Sequence, residues 1–165
     1  MTGDMGRADT SGAASGADSQ GRSRRYPERP IAGVGGVILI DGKVLLIRRR
    51  FEPNAGRWSL PGGTLEVGET LQEGTAREMK EETGLDVEVG PVIDVFDRII
   101  HDGDGRVQFH FVLVDFLCRP VGGTPAPSSD ASDLTLTDPS DLGPYDLTEK
   151  TLEVIRRAIH MAANL

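Results

Sequence analysis

GTLEVGETLQEGTAREMKEETGL, from Gly63 to Leu85, is the stretch that decides how the chain is read. From about Thr70 to Thr83 the residues predict a helix, with Gly68 and Glu69 leading in and Gly84 ending it as a C-cap glycine. Its centre is Arg77-Glu78-Met79-Lys80-Glu81-Glu82. At about 100° per residue, Glu81 falls roughly 60° to one side of Glu78 and Glu82 roughly 40° to the other, so three carboxylates share a narrow face. Like charges at this spacing repel. Two readings account for them. One is a solvated acidic face with Arg77 and Lys80 as local counter-charges. The other is a site for a hard divalent cation, which takes carboxylate oxygens and keeps positions open for water and substrate phosphates.

The spacing bears on that choice. Gly63 is followed after five residues by Glu69, after seven more by Arg77-Glu78, then by aliphatic Met79, by Glu81-Glu82, and by Gly84 and aliphatic Leu85. This resembles the signature of the Nudix hydrolases at every defined position. The resemblance implies an α/β/α sandwich of the α+β class, with a mixed sheet flanked by helices. It also implies metal-dependent hydrolysis of a pyrophosphate linkage. By resemblance, Glu78 and Glu82 are direct metal ligands, Glu81 is a further ligand or a base acting through water, and Gly62 adds its backbone carbonyl. Glu69 and Arg77 form a structural pair that orients the metal shell. The metal is Mg2+, with Mn2+ as the substitute. Which carboxylate takes the proton stays open.

Upstream, Ile31 to Ile40 and Lys43 to Arg49 predict two strands joined by the tight-turn dipeptide Asp41-Gly42. At the end of the second strand, Arg48-Arg49-Arg50 alternates faces, so Arg48 and Arg50 are candidates to grip phosphate through a bidentate fork, or else edge residues in solvent. Residues 51 to 56 read as a loop, and Arg57 to Gly63 delivers the chain to the helix. Trp58 either stacks on a base or plugs the core. Before the hairpin, residues 1–25 are rich in Gly, Ser, Ala and Asp and predict a disordered tail, leaving 26–165 as the folded domain.

Downstream, Asp86 to Phe96 predicts a strand with a bulge or bend at Gly90-Pro91, Asp102-Gly103-Asp104-Gly105 a turn, and Val107 to Cys118 a long strand. The long strand carries Phe109, Phe111, Leu113 and Asp115 on one face. Asp97, Arg98 and His101 are candidates to line a cleft, or simply solvated. Arg119 to Ala131 reads as loop, leading to Ser129-Asp130-Ala131-Ser132-Asp133. Asp130 and Asp133 either cap a turn or contribute to the reaction as a base or a contact to a metal-bound water. Thr148 to Ala162 predicts an amphipathic helix, N-capped by Thr148, that covers one sheet face.

Composition limits the partners. The net charge of −8 argues against a nucleic-acid binder, and a single cysteine, Cys118, excludes an internal disulfide. No apolar run reaches membrane-spanning length, so a cytoplasmic monomer or homodimer acting on a small nucleotide is expected, without membrane or nucleic-acid partners. The opening GVGGVILIDGKVLLIRRR resembles small bacterial Nudix proteins called ADP-ribose pyrophosphatases. The chain departs from them where Thr135 and Leu136 replace an Arg-Trp pair, and it lacks the later proline of the ADP-ribose subgroup. The expected substrate is ADP-ribose or a similar nucleoside diphosphate derivative. The alternatives are clearance of oxidised or non-standard nucleoside triphosphates, or a ligand-sensing domain without catalysis.

Overall fold

The computed structural model describes residues 24–127 and 131–165. The predicted tail, except for its last two residues, and Asp130 therefore lie outside the described residues. The first hairpin forms as read: β1 (Ile31–Ile40) and β2 (Lys43–Arg49) meet through Asp41 and Gly42, whose φ angles of 50° and 77° are those of a tight mirror-image turn. The approach to the helix contains two short strands that the sequence did not mark, β3 (Trp58–Ser59) on β2 and β4 (Gly62–Thr64) on β1. Helix α1 (Leu71–Thr83) follows.

Next come two long antiparallel strands, β5 (Leu85–His101) and β6 (Val107–Gly123). Gly90-Pro91 does not break β5. The register shifts on either side of Val92 absorb it, and a side chain at Gly90 would sit 2.8 Å from the Leu117 carbonyl oxygen. The loop expected from Arg119 begins later, because β6 continues through Pro120 to Gly123. Past Cys118 this strand pairs with β5 alone, so the missing proline N–H breaks no central ladder. Strand β7 (Ala131–Thr137) returns to pair with β2, and helix α2 (Glu149–Ala163) closes the chain.

The sheet has seven strands, with main order β3-β2-β1-β6-β5, β4 on β1 and β7 on β2. It is mixed, since β1 and β6 run parallel while the other pairs are antiparallel. Period-two alternation along β1 divides the core into two layers. Val34 and Ile38 pack with Met79 of α1, whereas Val37 packs with Val154, Ile155 and Ala158 of α2. The helices thus cover opposite faces of one mixed sheet, the expected sandwich. Among the described residues no helix is long and apolar enough to cross a membrane. Trp58 packs in the α2 layer, edge-on to Tyr145 with ring centroids 5.3 Å apart, and Cys118 is buried in the α1 layer, where burial pushes its thiol up to about 12.

Candidate active site

Capping sets the phase of the acidic helix. The Thr70 hydroxyl accepts the Glu73 N–H at 3.1 Å while the Glu73 carboxylate accepts the Thr70 N–H at 2.8 Å, a capping box. At the other end Gly84, with φ of 76°, closes α1 in the left-handed conformation. The helix so phased turns Glu78 and Glu82, one turn apart, against the sheet, where they are 7% and 6% exposed. Glu81 stays exposed. The backbone facing them is β4. The Gly62 N–H donates to Glu82 Oε2 at 2.8 Å, and a Cβ on Gly63 would lie 2.5 Å from the Glu78 carboxylate, so only glycine leaves room for that carboxylate.

Arg77 neutralises the acidic face. Its guanidinium donates to both oxygens of Glu69, to Glu78 Oε1 at 2.8 Å, to Glu81 Oε2 at 3.2 Å and to the Thr64 carbonyl at 3.1 Å. Arg77, with help from the Glu66 N–H, holds the Glu69 carboxyl below its ordinary pKa, and the arginine is raised in turn, foremost by Glu69. The guanidinium thereby ties the loop before α1 to the helix itself. Among the described residues no three His, Cys, Asp or Glu side chains converge closely enough to hold an ion. Glu78 and Glu81 are drawn to Arg77, and Glu82 to the Gly62 N–H. The donor set is nonetheless all carboxylate oxygen, the kind a hard divalent cation takes, and Gly63 lets the Glu78 carboxylate lie directly against the β4 backbone.

Gly62 and Gly63 also form one wall of a cavity of about 280 Å3 on the α2 face of the sheet. Its apolar walls include Leu60, Phe96, Phe111 and Leu113. Arg49 and Arg98 bring positive charge, and burial together with the charges of Arg49 and Arg57 holds the Arg98 pKa down. Arg24 lines the cavity as well, and Arg49 and Arg98, which make no ion pair among the described residues, suit an anionic ligand. At the α2 side the cavity meets Thr148, Lys150 and Thr151, and its wall on β6 includes Asp115.

The candidates from sequence therefore separate. Asp97 and Arg98 line the cavity; Arg48 and Arg50 do not, and Arg49 takes their place. Arg48 is exposed, donating to the Gly56 carbonyl at 2.9 Å, at the point where the register between β2 and β7 shifts. Asp133 is exposed too, its carboxylate accepting the Leu134 N–H at 2.8 Å as a local cap. His101, at the exposed end of β5, is absent from the cavity wall. Helix α2, read as packing alone, also contributes Lys150 to the cavity. Asp115 carried a signal in the sequence, as the one charged residue in the stripe Phe109-Phe111-Leu113-Asp115-Leu117.

A match to the NUDIX domain covers residues 29–158. The chain is 36% identical over 113 residues to an ADP-ribose pyrophosphatase of Methanocaldococcus jannaschii, covering 68% of this chain and 64% of that protein. The match therefore spans less than two thirds of that relative's length. It is 36% identical over 128 residues to a MutT-like protein of Streptomyces ambofaciens, covering 78% of this chain and 73% of the other. The crystal structure of a MutT NUDIX hydrolase from Burkholderia pseudomallei superposes with a TM-score of 0.67 at 32% identity, over 81% of this chain and 98% of that one.

Proposed function

The chain belongs to the Nudix family and is a Nudix pyrophosphohydrolase, and from that premise we propose that it cleaves the pyrophosphate linkage of a nucleoside diphosphate derivative, ADP-ribose first among them. The observation that carries this reading is the junction at Gly62-Gly63, where the acidic face of α1 meets a cavity with aromatic walls and three arginines, Arg24, Arg49 and Arg98. A pyrophosphate at that junction has its bridging bond beside the carboxylates, its nucleoside in the cavity, and its negative oxygens near Arg49 and Arg98. Similarity to an ADP-ribose pyrophosphatase supports the choice of first substrate.

Nudix hydrolases use divalent metal ions, and Mg2+ is the one proposed here. Glu78, Glu81, Glu82 and the Gly62 carbonyl would hold it. When bound, such an ion neutralises phosphate oxygens and lowers the pKa of water. Glu69 fixes Arg77, and Arg77 in turn fixes Glu78 and Glu81, so this arginine is a positioning residue. The apolar walls exclude bulk water from the nucleoside end.

The test is a substrate panel of ADP-ribose, nucleoside diphosphate sugars, and ordinary and oxidised deoxynucleoside triphosphates, with Mg2+ or Mn2+ and products identified by mass. AMP and ribose 5-phosphate from ADP-ribose are the expected products. Cleavage of oxidised triphosphates with ADP-ribose untouched would transfer the site to a house-cleaning role.

A further inference from the structure

Asp115 is 8% exposed, yet its carboxylate lines the cavity and makes no hydrogen bond or ion pair with any described residue. Its place is enforced from behind. A Cβ on Gly35 would lie 2.4 Å from Asp115 Oδ1, so β1 has no side chain where the carboxylate rests. In front of it, on the same face of β6, are Leu113 and Phe111, and Phe96 stands on β5. The nearest cation, Lys150, is already held by Asp94 and Glu153 and lies 4.8 Å from the centroid of the Phe96 ring. Burial, helped by the charge of Asp94 and opposed by Lys150, pushes the Asp115 carboxyl up to about 6. At neutral pH a largely ionised carboxylate thus sits on an apolar floor with its acceptor capacity unused. That arrangement is costly unless a ligand supplies donors.

The aromatic walls favour a flat π-system over a sugar, and the donors that a nucleobase carries on its edge are ring N–H and exocyclic amino groups. We propose that Asp115 determines base specificity in this cavity, its carboxylate accepting a hydrogen bond from the exocyclic amino group of the substrate's nucleobase. The inference deepens the proposed function and rests on its placement of the nucleoside in the cavity. It selects bases with an amino group, adenine and guanine, over unsubstituted purine, whose six-membered ring carries neither an amino group nor an N–H.

Calorimetric binding of AMP, GMP and purine riboside 5′-monophosphate to the full chain without added metal tests this separately from hydrolysis. Wild-type protein is expected to bind AMP or GMP roughly tenfold or more tighter than purine riboside 5′-monophosphate, the range for a hydrogen bond to a charged group. In Asp115→Asn, which keeps the side-chain shape but is uncharged and can also donate to the purine ring nitrogen, that ratio falls toward one. Asp115→Leu is expected to lose the discrimination as well, and near-ultraviolet circular dichroism checks that both variants are folded. An unchanged ratio in either folded variant, or a wild type that does not distinguish the three nucleotides, overturns the inference. If the ratio depends on Asp115 but ADP-ribose is not hydrolysed, the substrate assignment fails and this inference stands. If ADP-ribose is hydrolysed but the ratio ignores Asp115, the reverse holds.

Discussion

At the scale of single residues, two buried carboxylates one turn apart, Glu78 and Glu82, are the centre of the proposed chemistry. Glu82→Gln keeps an acceptor for the Gly62 N–H but removes a charge. The fold is expected to survive, while metal-dependent hydrolysis falls by more than about a hundredfold, the upper range for losing even an indirect metal contact. Full activity in that variant would remove Glu82 from the site. Asp115 gives a second prediction, this one in stability. Its proton is held more tightly in the folded protein than in the unfolded chain, so its contribution favours folding at low pH and is lost as the pH rises through about 6. The difference is on the order of 3 kcal/mol. Asp115→Asn is therefore expected to melt several degrees above wild type at pH 7.5 and level with it near pH 4. Melting curves that stay parallel across that range would show that the carboxylate is not desolvated.

At the scale of elements, α1 was legible to its C-cap because a left-handed cap at Gly84 needs only a missing Cβ. Its N-cap was read one residue off: Thr70 caps the helix with Glu73 rather than opening it, although both lie within one turn. Gly74 is different. Helix propensity alone predicts that Gly74→Ala adds about 1 kcal/mol. In the fold, however, the new methyl would lie 2.6 Å from Leu65 Cδ1 and 3.0 Å from Glu69 Oε2, and that oxygen is fixed by Arg77 and the Glu66 N–H. Overpacking of this kind costs about 1 to 3 kcal/mol. A calorimetric scan is therefore expected to show a lower melting temperature for Gly74→Ala, and a higher one would mean that the loop before α1 yields freely. Strand β6 makes the same point from the other side. Gly122, Gly123 and Pro120 read as loop by local preference, but pairing with β5 carries the strand through all three.

At the scale of the whole molecule, the acidic helix and the cavity lie on opposite faces of the sheet, and both meet the backbone of β4 at Gly62-Gly63. A cation that binds the native carboxylates and not the unfolded chain raises stability by about 2.7 kcal/mol at a hundredfold excess over its dissociation constant. Saturating Mg2+ is thus expected to raise the melting temperature of wild type by several degrees and to do much less for a Glu78→Gln/Glu82→Gln double variant. An equal rise in both would place the ion elsewhere. The sequence by itself determined the proposed reaction centre, since Glu69, Arg77, Glu78, Glu81 and Glu82 stand at fixed spacings on or beside one helix, and a helix's geometry follows from its own residues. It also determined the first hairpin, whose turn is two residues long. Only the tertiary structure decided which residues line the cavity together. Arg49, Arg98, Asp115 and Lys150 come from four separate elements, and contacts between them depend on register and twist across the sheet. Alternation from Val44 and Leu46, which face α2, would bring Arg48 to the cavity side, but the register of β2 against β7 shifts between Arg48 and Arg49, and it is Arg49 that lines the cavity.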